Sequence, residues 1–180
     1  MTTEFRAEAR LDATERGPVR VQAAASETER EAAARRLGLD RVQALTLDAR
    51  LERTATGDVY IAAGEATLVA ERTCVVTLDP FMETTTASFE ELFTTAPEKA
   101  SDPDAPAAPD APEIELVEDD RIDLGEIALQ YLAMELDPYP RGPDAEAAAE
   151  EAEAAAAAEA GTRRPFAGLD RLLAERDKRS

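Results

Sequence analysis

The sequence predicts an α+β fold in which one curved antiparallel β-sheet is covered by two helices. Alternation of apolar and polar residues dominates residues 5–93, which is typical of half-buried strands. Helix-capping signals precede two short apolar-periodic stretches, near residues 27–37 and 124–136. Low-complexity linkers without large apolar residues interrupt the chain. The pattern leaves open whether the sheet stays flat or curls into a barrel-like form.

The first predicted elements are two short strands and a helix. Apolar residues alternate with charged ones over residues 5–11, and a second alternating run follows at residues 19–23. Ser26 and Glu29 have the spacing of a capping box, which predicts a helix that begins directly afterwards. Gly38 is expected to end that helix.

A long hairpin is predicted next. Residues 45–51 alternate strictly, residues 55–58 read as a turn, and the return strand over residues 59–63 places odd-numbered residues inward. At Gly64 the apolar phase changes to even numbers, which indicates a β-bulge. The even phase is expected to continue through Cys74, Val76 and Leu78.

The remaining strands flank a proline-rich stretch. Asp79-Pro80 is expected to turn the chain, and residues 81–93 form the next strand, which contains a β-prone run of threonines. Beyond the proline-rich stretch, Ile114 and Leu116 alternate with glutamates and predict a short final strand.

The second helix has the clearest signals. Asp123 is the expected N-cap, and Glu126 stands three residues later, as in a capping box. Asp137-Pro138 ends the helix, because a residue before proline avoids helical dihedral angles. One helix face is predicted to be apolar, made of Leu124, Ile127, Ala128, Tyr131, Leu132 and Leu136.

Composition divides the chain into a globular part and appendages. Leu, Ile, Val and Phe number 34 of the 180 residues, and 30 of these lie within residues 1–141. Inside that α+β domain, residues 97–112 form a Pro/Ala/Asp-rich segment that predicts an extended linker. Residues 142–162 are an Ala/Glu-rich spacer, expected to be solvated and partly helical, and residues 163–180 are a basic C-terminal tail.

The residues that are absent exclude several chemistries. The chain has no His and one Cys, so histidine-based catalysis, internal disulfides and cysteine zinc sites are excluded. We expect no catalytic residues, no cofactor and no metal, and therefore no enzyme. A metal nuclease built on Glu118, Asp119, Asp120 and Asp123 is the minor alternative to a solvated turn with a helix cap. Cys74 is interpreted as a small core residue in a strand.

Net charge and hydropathy limit the classes of partner that the chain is expected to bind. The formal net charge is −19, which disfavours DNA. The N-terminus carries no apolar run and the chain holds no membrane-length apolar stretch. We therefore expect a cytoplasmic protein that does not bind membranes, while its oligomeric state stays open.

Two segments hold candidate partner-contact residues. Tyr139, between two prolines, and Arg141 could stack on a base or a partner, although packing of the ring back on the sheet is the favoured interpretation. In the basic tail, apolar residues at helical spacing lie among arginines, a pattern that is typical of a docking peptide. An equally favoured alternative is that the tail folds back on the acidic body of its own chain. The tail candidates are Arg163, Arg164, Phe166, Leu169 and Arg171.

Three segments resemble the YceD family of large ribosomal RNA subunit accumulation proteins. Residues 71–81 read ERTCVVTLDPF, where many family members have a C-x-x-C pair. Cys74 matches the first cysteine and Thr77 replaces the second, so the resemblance carries no metal site here. Residues 121–140 hold a similar Ile-Asp-Leu start, apolar helix and Pro-containing exit, and residues 165–169 read PFAGL, as near the family's C-terminus.

The resemblance implies a non-enzymatic ribosome-biogenesis factor that supports accumulation or processing of large-subunit (23S-type) rRNA. Its expected partner is pre-large-subunit rRNA or a basic ribosomal protein. A chain with net charge −19 suits a basic protein better than RNA. The alternative is an acidic adaptor that binds a basic partner and has no connection to rRNA.

Overall fold

The computed structural model describes residues 4–101 and 113–162, which contain seven strands and three α-helices and so confirm the α+β class. The strands are β1 (Glu8–Arg10), β2 (Val19–Ala24), β3 (Arg41–Arg53), β4 (Val59–Thr73), β5 (Pro80–Thr94), β6 (Ile114–Leu116) and β7 (Arg121–Asp123). The helices are α1 (Glu27–Leu37), α2 (Leu124–Glu135) and α3 (Ala145–Thr162).

The main sheet has five strands in the order β2-β3-β4-β5-β6. Its first four strands are antiparallel neighbours, but β6 runs parallel to β5. The predicted purely antiparallel sheet is therefore wrong at its last strand. A parallel neighbour needs a connection long enough to carry the chain back along its partner, and residues 95–113 provide that length. The barrel-like form is also wrong, because β2 and β6 lie at opposite ends of an open sheet.

A second, two-stranded sheet and helix α2 complete the core. β1 pairs antiparallel with β7, with Ala9 opposite Ile122, so the predicted single sheet is in fact two. The alternation predicted for residues 5–11 is confirmed, since every odd residue in that range is buried. The side chains of Leu124, Leu129 and Leu132 on α2 are fully buried. Leu129 was not part of the predicted apolar face.

The capping box of α1 is confirmed. The Glu29 N–H donates to Ser26 Oγ at 3.4 Å, and the Ser26 N–H donates to Glu29 Oε2 at 2.8 Å. Gly38 ends the helix in the left-handed conformation, with φ at 66°. A residue with a side chain adopts that conformation only at a cost, so glycine is favoured here.

Helix α2 begins at the predicted N-cap but without the predicted capping box. Asp123 Oδ1 accepts hydrogen bonds from the N–H groups of Gly125 and Glu126 at 3.1 and 3.3 Å. The Glu126 carboxylate does not return to the cap. It accepts two hydrogen bonds of 2.5 Å from the Arg36 guanidinium, at the end of α1. This bidentate pair joins the end of one helix to the start of the other.

We expect Arg36→Met to lower the free energy of unfolding by about 1 kcal/mol at neutral pH. The hydrogen bond from Arg36 is the main cause of the lowered pKa of Glu126. A carboxyl whose pKa is lower in the folded state stabilises the fold above its unfolded pKa. That contribution is lost as the pH falls through the lowered folded value. Urea unfolding at decreasing pH should therefore show the difference between wild type and variant shrinking.

Arg35→Met is the matched control for this ion pair. Arg35 is exposed in the same helical turn and makes no ion pair with the described residues. Its replacement should change the free energy of unfolding by less than about 0.5 kcal/mol. Equal losses in the two variants would show that net charge, and not the pair, sets the effect.

Gly64 allows strands β3 and β4 to approach each other closely, and it does not form the predicted bulge. It is paired regularly with Ala49 on β3 and with Phe89 on β5. A Cβ atom at Gly64 would lie 2.6 Å from the Cβ of Ala49, so no larger residue fits without movement. The register shift of β3 lies elsewhere, between Val42 and Ala44. Strand β4 keeps one inward phase, with Tyr60, Ala62, Ala66, Leu68 and Ala70 buried.

The low-complexity segments are only partly described. Pro97–Lys99 forms a 3₁₀ turn, whereas extended chain was predicted there, and residues 102–112 lie outside the described residues. The Ala/Glu-rich spacer contains the whole of α3, and its side chains at residues 146–158 are exposed or half-buried. The division into domain, linker and spacer stays a prediction. None of the helices in the described part is long and apolar enough to cross a membrane.

Candidate partner-contact surface

The turn between β4 and β5, residues 74–79, forms the hairpin tip. The Cys74 N–H donates to the Asp79 carbonyl and the Leu78 N–H donates to the Cys74 carbonyl, both at 2.9 Å. Leu78 has a φ of 63°, the one positive value at a non-glycine residue in the described part of the chain. A leucine in this left-handed conformation is strained by roughly 1–2 kcal/mol.

The chain that leaves α2, residues 137–142, packs against the hairpin tip. The Val75 N–H donates to the Pro140 carbonyl at 2.9 Å, and Pro140 is buried. Arg72 near the end of β4 holds this segment from the other side, donating to the Asp137 carbonyl at 2.5 Å and to Glu83 at 2.7 Å. The tip and the exit segment therefore form one surface.

Apolar side chains are exposed on this surface. Leu78 is 74% exposed, Met82 49% and Val75 45%. Val76, at 36%, is also exposed, so the expectation that Val76 and Leu78 continue the buried phase of the strand is wrong. The reason is that β4 ends at Thr73, one residue before Cys74. Exposed apolar groups gathered in one place are typical of an interaction site.

Tyr139 and Arg141 lie on the exit segment beside the tip. Tyr139 is 71% exposed, so the favoured expectation that its ring packs back on the sheet is wrong. The Tyr139 N–H donates to Asp137 Oδ1 at 2.8 Å, which fixes the backbone and leaves the ring free to contact a partner. Arg141 is exposed as well. Their role as contact residues stays a prediction.

Cys74 lies at the base of the tip, directly after β4 ends at Thr73. The prediction that Cys74 lies within a strand is therefore wrong. The Cys74 side chain is buried, in agreement with the prediction. Its Sγ accepts hydrogen bonds from the N–H groups of Val76 and Thr77, each at 3.4 Å. The Thr77 hydroxyl first, and then the N–H groups of Thr77, Gly142 and Val76, lower the pKa of Cys74 to about 7. The thiol thus helps to order the tip.

The acidic turn before α2 is used in structural contacts. Asp123 caps the helix, and Asp120 lies 3.5 Å from the Arg10 guanidinium. Among the described residues, no three His, Cys, Asp or Glu side chains converge as metal ligands would. The geometry of this turn therefore gives the nuclease alternative no support.

The tail candidates Arg163, Arg164, Phe166, Leu169 and Arg171 lie outside the described residues, and their contact role stays a prediction. The exposed tip residues were missed as candidates. The Asp79-Pro80 turn signal was visible in the sequence, but nothing local indicated that a leucine would occupy a left-handed, exposed position.

Comparison with protein families adds one finding. A family model described as Large ribosomal RNA subunit accumulation protein YceD matches residues 62–173, well over half of the chain. The match includes most of β4, the hairpin tip, β5 and α2. No curated protein and no solved structure matches the chain. The chain therefore belongs to the YceD family, and the name of this family refers to the accumulation of large-subunit ribosomal RNA.

Proposed function

We propose that this protein is a non-enzymatic ribosome-biogenesis factor of the cytoplasm that supports accumulation or processing of large-subunit rRNA. The family match over residues 62–173 carries this proposal. The protein acts by binding a component of the pre-large-subunit particle, through rRNA or through a ribosomal protein. The hairpin tip and Tyr139 are its candidate contact surface.

Charge favours a basic ribosomal protein as the direct contact. A chain with a formal charge of −19 repels phosphate and attracts cationic protein. Leu78 and Tyr139 give the contact apolar and aromatic anchors, which usually dominate the binding energy of protein interfaces. The residues of the basic tail are further candidates for the same partner or for rRNA.

The chemistry of the chain supports a binding role over catalysis. It has no His, and its one thiol is buried beneath the hairpin tip. Asp123 caps α2 and Asp120 lies 3.5 Å from the Arg10 guanidinium, so both carboxylates already have structural contacts. A factor that protects or positions rRNA needs no reactive group of its own.

Depletion of the protein should lower the ratio of mature large-subunit rRNA to small-subunit rRNA. The physical reason is that an unprotected assembly intermediate is degraded before it matures. Gel electrophoresis or blotting of total RNA measures the ratio, and sedimentation of the lysate shows whether the protein travels with pre-large-subunit particles. An unchanged ratio under growth-limiting depletion would favour the acidic adaptor alternative.

Two variants make this experiment specific. A chain carrying Asp119→Asn and Asp120→Asn should restore the ratio fully, because neither carboxylate is needed for catalysis. Loss of rescue by that folded variant would support a nuclease. Deletion of residues 163–180 should reduce association with the particles if the tail contributes to binding. If the truncated chain associates with the particles as well as the full chain does, the contact must lie within residues 1–162.

A further inference from the structure

A groove of about 980 Å³ lies at the β6 edge of the main sheet, at the opposite end of β5 from the hairpin tip. Its apolar lining includes Leu92, Ile114 and Tyr131. Glu91, Glu113 and Glu115 supply carboxylates to the same groove, and Glu90, whose side chain alternates to the other face of β5, also lines it. The groove is therefore both apolar and strongly acidic.

The three carboxylates lie in one row. Phe93 is paired with Glu115 in the parallel register, and residues so paired share a face of the sheet. Because side chains alternate along a strand, Glu91 lies on that same face, and Glu113, directly before β6, lines the same groove. Burial raises the pKa of Glu91, and the charges of Glu115 and Glu113 raise it further. The row therefore holds mutually repelling negative charges.

No cation of the described residues neutralises this row. None of the three glutamates takes part in the ion pairs found within residues 4–101 and 113–162. Lys99, close in sequence to the groove-lining Pro97 and Ala100, is paired with Asp58 at 2.6 Å. A cationic ligand would gain from all three carboxylates without having to break an ion pair, although the Tyr131 hydroxyl already donates to Glu91.

The edge of β6 favours binding through side chains over strand addition. The Ser101 N–H donates to the Ile114 carbonyl, and the Ile114 N–H donates to Ser101 Oγ, both at 2.9 Å. Both peptide groups of Ile114 are thus already satisfied. A ligand must bind with side chains that reach the carboxylates and apolar groups that contact the lining.

We propose that this groove binds a basic, amphipathic segment of a partner protein. Lys or Arg side chains of the segment bind the row of Glu91, Glu113 and Glu115, and an apolar side chain contacts Tyr131 on the same face. This inference rests on the proposed function, since it names the chemistry of the partner. Negative charge on the groove excludes a phosphate backbone as the favoured ligand.

The test uses the full chain and a fluorescein-labelled 12-residue peptide of alternating Lys and Leu. The groove variant carries Glu91→Gln, Glu113→Gln and Glu115→Gln. The control carries Glu52→Gln, Glu65→Gln and Glu135→Gln, three exposed glutamates outside the groove. Both variants change the formal charge from −19 to −16, so non-specific attraction falls equally in the two.

We expect the groove variant to bind the peptide at least about tenfold more weakly, and the control within about twofold of wild type. Tyr131→Ala, which keeps the formal net charge at neutral pH, should also weaken binding. Circular dichroism melting shows that each variant is folded. Equal losses in the two triple variants would overturn the proposal, because the attraction would then be non-specific.

Two other occupants are outcomes that overturn the partner assignment. If a single-stranded RNA oligonucleotide binds the wild type as tightly as the peptide and loses affinity only in the groove variant, the groove is an RNA site. If deletion of residues 163–180 makes peptide binding much tighter, and a tail peptide then competes for the groove, the occupant is the chain's own tail.

The groove and the proposed function can fail separately. If depletion leaves the rRNA ratio unchanged, the proposed function fails whatever the peptide measurements show. If depletion lowers the ratio and the groove variant restores it as fully as wild type, the groove inference fails while the proposed function stands. Partial or no rescue by a folded groove variant, with full rescue by the control, supports both.

Discussion

Gly125→Ala is expected to destabilise the protein by about 3 kcal/mol. Gly125 lies in the first turn of α2, directly against the backbone of the chain that leads into β1. A Cβ atom there would lie 2.9 Å from the Phe5 carbonyl carbon and 3.1 Å from the Ala7 nitrogen. Backbone atoms cannot rotate away as a flexible side chain can, so the helix or the strand must move.

The sign of this effect separates two physical causes. Helix propensity alone predicts that Ala in place of Gly stabilises α2 by about 1 kcal/mol. The collision predicts the opposite, because it breaks the docking of Leu124 N–H on the Ala7 carbonyl, a hydrogen bond of 3.0 Å. Urea unfolding followed by circular dichroism measures the difference.

Gly142→Ala is the matched control. A Cβ atom at Gly142 would meet Phe81 and Cys74 at 3.4–3.6 Å, which is ordinary van der Waals contact. This variant should change the free energy of unfolding by less than about 1 kcal/mol. A Gly125→Ala protein as stable as wild type would show that α2 does not lie so close to the start of the chain.

Leu78→Asn should make the protein more stable while weakening its binding to pre-large-subunit particles. Asn tolerates the left-handed conformation that Leu78 adopts at a φ of 63°, so about 1 kcal/mol of strain is relieved. Little burial is lost, since Leu78 is 74% exposed. Loss of a large apolar anchor should reduce affinity by roughly tenfold or more. Thermal melting and co-sedimentation measure the two effects.

Leu78→Ala separates the backbone effect from the side-chain effect. Ala keeps the strained conformation but removes the anchor, so binding should fall as in Leu78→Asn while stability stays near that of wild type. Normal particle binding by both variants would remove the hairpin tip from the contact surface. A Leu78→Asn protein no more stable than wild type would mean that the tip stores no strain.

Local signals were sufficient for the elements whose chemistry is local. The capping box of Ser26 and Glu29, the glycine at position 38 and the strict alternation of residues 45–51 each depend on neighbours a few residues apart. The prediction was correct at each of these positions. The Asp123 cap follows the same rule, because its hydrogen bonds reach only to the first turn of α2.

The errors arose where distant segments decide the outcome. Glu126 has the spacing of a capping box, but an arginine 90 residues earlier in the chain binds its carboxylate more strongly than the cap does. Alanines on both sides of β4, such as Ala62 and Ala63, made its inward phase ambiguous, and an apparent slip at Gly64 resulted. Strand direction is not encoded in alternation, so the parallel pairing of β6 could not be derived from its pattern.

One candidate site is marked by a local sequence pattern, and the other is formed only by segments that are distant in sequence. Tyr139 and Arg141 were named as candidates because the sequence shows an aromatic residue between two prolines, although the exposure of the ring was not the favoured expectation. The groove was not named as a candidate, because its residues come from β5, β6 and α2 and share no local pattern. Only the register that places Glu115 beside Phe93 brings the carboxylates together.

The short strand β6 has a consequence for the order in which the molecule folds and opens. Strands β3, β4 and β5 are joined by short turns and pair along their length through contacts that begin close in sequence. The three residues of β6 join only after residues 95–113 have closed a long loop, and loop closure has an entropy cost that rises with length. β6 is thus held more weakly than β3, β4 and β5, so we expect its amide hydrogens to exchange through a local opening below the free energy of global unfolding. The groove exists only in the docked state, and a bound segment therefore slows hydrogen exchange at β6 by holding the sheet closed.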